Sequence, residues 1–316
     1  NYHYLVPEFE PAQEFKLCTT KLFDEVREAT ALGHKIKPVL LGPLTYLWLG
    51  KGVSATFDKL SLLNKLLPVY GAILQQFKAL GVEWVQIDEP ILALDLPPAW
   101  QQAFEFGYSQ LIVPGLKKLL TTYFDDLGDN THLACRLPVD GLHIDLIRAP
   151  QQLLTVLDQL PAYKILSVGI IDGRNIWKSN LLPVLDQLKK IQSRIGERLW
   201  LAPSCSLLHC PVDLSNETKL GTDIKNWLAF AVQKLAELSL LKQSLSTESP
   251  SLYSLLKDNA AAILSRTTSA RIHNPQVKER SHQVTAEMSQ RGETRGSRMR
   301  IGIRQRAEMR NVRPLR

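Results

Sequence analysis

Short apolar, β-favouring runs alternate along this chain with longer stretches of helical period. The runs fall at 38–41, 84–88, 119–123, 141–145, 165–170 and 199–202. Each is continuously apolar rather than alternating, the pattern of strands buried on both faces. Between the first two runs, Leu60, Leu63, Leu67, Tyr70, Leu74 and Phe77 recur at i, i+3 and i+4 spacing. They predict a helix that Gly81 closes at its C-terminal end. Pro68 lies inside this stripe and is expected to kink or split it. A second stripe, Ile224, Leu228, Ala231, Leu235 and Leu238, predicts another helix with Thr222 or Asp223 as N-cap. Residues 1–35 read as mostly helical. Residues 243–316 are rich in Ser, Asn and Arg, and from about Arg266 onward no apolar stripe recurs, so they read as linker and disordered tail.

The strand-to-strand spacing averages about 32 residues, the size of a repeating βα unit. Repetition of that unit means an α/β fold with a parallel sheet, open or closed into a barrel. The strand ends favour a barrel. Nearly every run finishes in polar or small residues: Gly42-Pro43, Asp88-Glu89-Pro90, Thr121-Thr122-Tyr123, His143 with Asp145, Asp172-Gly173-Arg174-Asn175 and Ser204-Cys205. A (β/α)8 TIM-type barrel collects its active site at that end. Six strands are readable where eight are expected, so the barrel reads as incomplete, having lost its N-terminal part.

Charge changes the picture of the last residues only. The chain of 316 residues carries 38 Lys+Arg and 31 Asp+Glu, a formal charge of +7. Residues 291–316 hold nine arginines against two acids, which is the entire surplus. The body is therefore neutral, and a basic surface that would point to nucleic acid is excluded for it. All three methionines (Met288, Met299, Met309) also lie near the end, and no aromatic residue follows Tyr253. The chain opens on Asn1 and is expected to be a piece of a longer protein. No apolar run reaches the roughly 18–20 residues of a membrane span. Four cysteines in a chain of this length do not make a disulfide framework, so the expected compartment is the cytoplasm.

Several clusters carry candidate chemistry. Cys205-Ser-Leu-Leu-His209-Cys210 could supply two zinc ligands, or a buried cysteine and a turn histidine. Asp88 and Glu89 are neighbours on a strand, so their side chains leave opposite faces and do not form one paired-carboxylate site. Asp88 alone is a candidate inward anchor for a substrate amine or hydroxyl, or a partner for the next loop. His143 and Asp145 share a strand face. They read as a proton-transfer pair or, more simply, as a satisfied histidine beside a solvated carboxylate. Arg174 offers a contact for an anionic ligand, or a loop salt bridge. No GxxxxGK[ST], strand-borne GxGxxG, GxSxG or HExxH occurs, which removes support from the large nucleotide and hydrolase classes. The six tryptophans are dispersed and read as packing rather than a base-stacking platform.

An ordered series of longer motifs narrows the reading. It runs through Asn1-Tyr-His-Tyr-Leu-Val-Pro-Glu8, Lys37-Pro-Val-Leu-Leu-Gly-Pro-Leu-Thr-Tyr-Leu-Trp-Leu-Gly50, Glu83-Trp-Val-Gln-Ile-Asp-Glu-Pro90 and Leu119-Leu-Thr-Thr-Tyr123. Asp172-Gly-Arg-Asn175, Ser204-Cys-Ser-Leu-Leu-His209 and Ser269-Ala-Arg-Ile-His-Asn-Pro275 continue it. The series closely resembles the N-terminal domain of cobalamin-independent methionine synthase, from Asn1 to about Arg291.

That resemblance implies two related barrels, of which this chain is the first, and methyl transfer from 5-methyltetrahydrofolate polyglutamate to homocysteine. It implies zinc in the C-terminal barrel, which the reaction requires, and no cofactor held here. In that catalytic barrel the strand matching 119–123 carries a His-x-Cys zinc pair and a third sulfur ligand matches Cys205. An Asp for homocysteine matches Asp88, while the position of a folate-binding Glu falls on Leu94. The resemblance thus implies a decayed copy kept for architecture and for closing over folate, with Cys205 a relic of a ligand position and no metal site.

The organisation expected is 1–265 partial barrel, 266–291 start of an interdomain linker, and 292–316 an arginine-rich disordered tail, read as translated out of frame or derived from a broken gene. The rival reading is a stand-alone module binding folate or another anionic ligand. A nucleic-acid partner using the tail, or a membrane partner, is not expected.

Overall fold

The computed structural model describes residues 6–54 and 56–289. Its strands are β1 (Glu8–Phe9), β2 (Val39–Leu41), β3 (Lys51–Gly52), β4 (Trp84–Asp88), β5 (Lys117–Thr121), β6 (Gly141–Asp145), β7 (Ile165–Ile171) and β8 (Leu199–Pro203). The helices are α1 (Lys21–Ala31), α2 (Pro43–Leu49), α3 (Leu63–Ala79), α4 (Pro98–Gln110), α5 (Thr131–Arg136), α6 (Gln152–Gln159), α7 (Leu181–Ile195), α8 (Thr222–Trp227), α9 (Ala231–Ser246), α10 (Pro250–Thr268), α11 (Pro275–His282) and α12 (Ala286–Ser289). The chain divides after Ile263 into two compact units.

In the first unit six strands form one parallel sheet in the order β2-β4-β5-β6-β7-β8, while β1 and β3 pair separately. Sequential neighbours joined by helical crossovers are the expected consequence of the βα repeat. Central strands carry the fully buried runs: every residue of β6 is buried, as are six of the seven in β7. The edges differ, with Val39 48% and Leu41 40% exposed on β2. The sheet is strongly curled. Trp84 on β4 and Trp200 on β8 have ring centroids 4.7 Å apart across three intervening strands. A flat sheet would hold those strands roughly 19 Å apart. The curl is that of a barrel, and among the described residues β2 and β8 do not pair to close it.

Four local expectations are corrected. Pro68 does not split its helix: α3 runs through it. Pro68 and Asn64, whose carbonyl loses the i→i−4 bond, both face solvent, where water satisfies the carbonyl, and the buried stripe continues past them. The stripe from Ile224 to Leu238 is not one helix. Residues 228–230 are extended, with Ala229 N–H donating to Ile176 O at 2.8 Å and Lys178 N–H to Trp227 O at 3.0 Å. The third run, read at 119–123, lies two residues earlier as β5, because Lys118 enters the core as a strand residue by donating its ammonium to Leu111 O at 2.8 Å.

Residues 243–289 are largely helical rather than loop. Composition hid α10, whose inner face is Leu256, Asn259 and Ala262. Asn259 accepts from Leu181 N–H at 3.1 Å and donates to Ser179 O at 3.0 Å, so a polar residue docks the helix on the α7 N-terminus. α11 starts with Asn274 capping Gln276 and Val277 and is exposed throughout. The arginine-rich residues 292–316 lie outside the described residues. No helix among the described residues is long and apolar enough to cross a membrane.

Candidate functional site

The strand register brings polar side chains into one tier on the inner face of the curled sheet. Leu41 pairs with Asp88, Asp88 with Thr121, Thr121 with His143 and His143 with Ser167. Barrel interiors are ordinarily filled by layers of bulky branched side chains. Here four consecutive strands contribute a carboxylate, two hydroxyls and an imidazole. A cavity of about 590 Å³ lies over this tier, and Lys37, Asp88, Thr121, His143, Ser167 and Cys205 all line it.

Asp88 accepts from Gln86 Nε2 at 2.8 Å and from the Tyr123 hydroxyl at 3.3 Å. Burial raises its pKa, opposed by those two hydrogen bonds and by the charge of Lys37. Lys37 is shifted down, first by burial, with Asp88 opposing. His143 Nδ1 lies 2.9 Å from Ser167 Oγ and its Nε2 3.4 Å from Ser204 O. Burial pushes its pKa down to about 4, so the ring is neutral near pH 7. It is a satisfied core histidine, as one of the two sequence readings held. Asp145 is not the solvated carboxylate expected: it is 1% exposed and accepts from the N–H groups of Phe124, Ile147 and Arg148.

Glu89 leaves the opposite face from Asp88. It is fully buried, with Oε2 accepting from Thr45 N–H at 2.7 Å and Thr45 Oγ1 at 2.6 Å, and Oε1 from Leu44 N–H and the Tyr108 hydroxyl, both at 3.2 Å. Leu44 and Thr45 are in the first turn of α2, so a carboxylate from the end of β4 caps a helix 45 residues earlier. Pro43, with no N–H, needs no partner there. Gly42 is required by space: a Cβ would lie 2.1 Å from Glu89 Cδ. Burial raises the Glu89 pKa to about 7 against these four hydrogen bonds.

Arg174 stands elsewhere. Its guanidinium stacks over the Phe124 ring, 4.6 Å from the centroid, and the loop ion pair is instead Arg148 with Asp172 at 4.0 Å. Phe124 has φ of 83°, a left-handed conformation costly for an aromatic residue, held by the Asp145 carboxylate on its N–H. It rims a second, mainly apolar cavity of about 780 Å³ at the carboxyl ends of β2, β4 and β5, with Tyr46, Trp48, Leu94 and Tyr123. The structure thus brings Asp88 and Cys205 to one cavity, while Arg174 stacks on Phe124, a lining residue of the other. Lys37 and Ser167 were not singled out from sequence, and Thr121 was read only as part of a polar strand end; register makes Thr121 and Ser167 neighbours of His143.

The residues present do not fit zinc. The Cys205 thiol is buried and pushed up to about 11, chiefly by burial. His209, the other half of the sequence candidate, is exposed and lies edge-on to Phe124 at 5.8 Å. Among the described residues no three His, Cys, Asp or Glu side chains are grouped to hold a metal.

Fold and site define the class: a parallel βα domain curled as a TIM-type barrel, with polar residues gathered inside and at the strands' carboxyl ends. The family model for the cobalamin-independent synthase N-terminal domain matches residues 1–196. The chain is 56% identical over 291 residues to the 5-methyltetrahydropteroyltriglutamate–homocysteine methyltransferases of Coxiella burnetii strains Dugway 5J108-111 and RSA 331 / Henzerling II. That match covers 92% of this chain and 38% of those relatives. The chain belongs to the cobalamin-independent methionine synthase family, within its N-terminal domain. The B12-independent methionine synthase from Shewanella sp. W3-18-1, solved with selenomethionine, shares the fold at a TM-score of 0.52 and 15% identity, covering 73% of this chain and 68% of that one. A methyltransferase from Methanosarcina mazei does so at 0.51 and 10%, covering 70% and 63%.

Proposed function

We propose that this chain serves as the non-catalytic first barrel of a homocysteine methyltransferase. The reaction passes a methyl group from 5-methyltetrahydrofolate polyglutamate to homocysteine to give methionine. The observation that supports this most directly is 56% identity to named methyltransferases over a segment that is 38% of their length. The donor chemistry agrees. Leu119, Leu120 and Thr121 offer neither sulfur nor imidazole on β5, and among the described residues no further ligands group with Cys205. Zinc, which in the family activates the homocysteine thiol, is assigned to the part of the relatives this chain does not match. We assign substrate contacts to Asp88, which lines the inner cavity, and to Arg174, which stacks on Phe124. The compartment is the cytosol, a reading supported by four unpaired cysteines.

Zinc analysis of the purified chain, with a methionine-formation assay on 5-methyltetrahydropteroyltriglutamate and homocysteine, tests this. The expected result is substoichiometric zinc and no methionine until a C-terminal barrel is added. Turnover by the chain alone overturns it. A stand-alone module for folate or another anionic ligand is the second reading, favoured by the stack of Arg174 on Phe124, which lines the 780 Å³ apolar cavity. Saturable binding of a polyglutamylated folate that Arg174→Ala abolishes, with no gain from a C-terminal barrel, selects that reading.

A further inference from the structure

A different cluster of buried charge lies at the amino end of β5, on the outer face of the sheet. Lys118, the second residue of that strand, points away from Leu119 and Thr121 by alternation, toward the helix layer. β5 has β4 and β6 on either side, so the cluster sits well inside the sheet. Lys118 is 4% exposed, and Lys164, just before β7, is wholly buried. Their ammonium groups act on each other, and among the described residues neither has a carboxylate within ion-pair distance. Lys164 donates to Cys135 O and Leu137 O, both at 2.6 Å, and so caps the end of α5. Lys118 has a single acceptor, Leu111 O at the end of α4. Asp140 does not meet its ammonium: Oδ2 accepts from the Lys118 main-chain N–H at 2.8 Å instead.

Lys118 and Asp140 line a cavity of about 430 Å³ whose wall is otherwise mostly apolar, with Val113, Leu116, Val139 and Tyr163. Lys78 of α3 reaches its rim, since a Cβ on Gly115 would lie 3.8 Å from Lys78 Nζ. Lys117, also on the rim, is neutralised by Glu83 at 3.1 Å. The Cys135 thiol, pushed up to about 11 by burial, adds no charge. Around Lys118 there remain two cations, Lys78 and Lys164, and one anion, Asp140. A third cation is poorly accommodated there. Burial, with Asp140 opposing, accordingly brings the Lys118 pKa down to about 8.

We propose that Lys118 is a carbon dioxide site, its neutral amine adding the gas to form a carbamate. The nitrogen lone pair attacks the carbon and an N–C bond forms. One C=O π pair moves onto oxygen, and the proton released from nitrogen passes to water. No oxidant or reductant takes part. The product carries one negative charge, so two cations then face two anions and the like-charge contact with Lys164 becomes an attraction. The carbamate N–H keeps its bond to Leu111 O. An apolar wall suits an apolar gas, and the cavity has room for the added atoms. Lys164, held by two carbonyls and not part of the cavity lining, is not the reacting lysine. The site lies at the opposite end of β5 from Thr121 and needs neither zinc nor folate, so this inference and the methyl-transfer reading stand or fail separately.

Trapping with triethyloxonium in bicarbonate buffer, followed by proteolysis and mass spectrometry of the full 316-residue chain, tests it. At pH 7.5 about a quarter of Lys118 is neutral amine, against about one part in a thousand of an ordinary lysine. The trapped ethyl carbamate should therefore be enriched on Lys118 by at least about tenfold over exposed Lys78 and Lys117. At constant dissolved carbon dioxide the adduct should rise from pH 6.5 to pH 8.5, as the amine loses its proton. In carbon-13 bicarbonate, a carbamate resonance of the wild type should disappear in Lys118→Met. The site-resolved adduct on the unaltered chain decides the question even where that variant fails to fold. Adducts spread evenly over exposed lysines, no adduct on Lys118, or a flat pH profile overturns the proposal.

Discussion

Glu89 lets the cost of a buried charge be measured in this fold. Its carboxyl group is fully buried, and burial lifts its pKa from 4.5 to about 7 in spite of four hydrogen bonds from Leu44, Thr45 and Tyr108. The folded state therefore holds a proton on Glu89 between about pH 4.5 and 7 that the unfolded state has released. Stability then falls as pH rises through that window, because the native state binds more protons there. At about 1.4 kcal/mol per pKa unit, the loss amounts to ~3 kcal/mol, complete a little above pH 7. That is a large share of a typical stability of about 5–15 kcal/mol.

The perturbation is Glu89→Gln, which keeps shape and removes titration. Urea unfolding of both proteins at steps from pH 5 to pH 8 gives the stability difference at each pH. Subtraction removes the titration of Asp88 and Glu237, whose pKa values burial also raises. At pH 5 the wild type should be the more stable, since a neutral acid with a donating hydroxyl suits this pocket better than an amide whose NH₂ faces N–H donors. The advantage should shrink by ~3 kcal/mol by pH 8. A difference constant to within about 0.5 kcal/mol would refute the reasoning. A difference that grows with pH would mean that the four donors outweigh the burial cost, so that the ionised cap stabilises α2.

Three further outcomes follow from particular contacts. Gly42→Ala places a Cβ 2.1 Å from Glu89 Cδ, although its backbone (φ −71°, ψ 153°) suits any residue. It should cost at least about 2 kcal/mol in urea unfolding; a neutral result would mean that α2 can shift off its cap. In iodoacetamide labelling followed by mass spectrometry, exposed Cys18 should react first. Cys205, with its pKa near 11, is about one part in three thousand thiolate at pH 7.5 and should stay protected; equal rates would show that the interior opens readily. The unpaired edges β2 and β8 should drive concentration-dependent association in sedimentation, relieved by Val39→Lys; a wild-type chain that stays monomeric at all concentrations would contradict this.

What the sequence disclosed and what it withheld divide along one physical line. β4 and β6 begin and end at the residues the apolar runs delimit, because a strand buried on both faces must be apolar along its whole length. The buried stripe of α3 was equally legible, each of its contacts being one helical turn from the next. Features that depend on distant partners were not. α2 begins as Gly42-Pro43 and reads as a strand end, and its cap arrives from Glu89. The α8–α9 break lies within a regular stripe, and only pairing with 176–178 explains it. Lys234 is wholly buried in α9 although the apolar stripe marks Leu235 as its inner residue. Its ammonium reaches Asn175 Oδ1 and Trp177 O, both at 3.1 Å.

The same line runs through the candidate site. Asp88 was legible because a carboxylate ending an apolar run is conspicuous, and Cys205 because it stands beside His209. Neither fact says what the residues face. Register supplies that: the pairing that sets Asp88 opposite Thr121, and Thr121 opposite His143, turns single polar residues on separate strands into one tier. Such a tier has a cost in a barrel interior, since each of its groups must be paired once removed from water. His143 is paired through Ser167, and Asp88 through Gln86 and Tyr123. Thr121 is not paired by any described residue, and neither is the ammonium of Lys37. A domain serving only as architecture would be more stable with valine and leucine at those two positions, where among the described residues the hydroxyl has no hydrogen-bond partner and the ammonium meets only the Trp200 ring. The unpaired groups are therefore the residues at which scaffold and binding site make opposite predictions: Thr121→Val should raise stability if the interior is only a core, and should lower ligand affinity if it is a site.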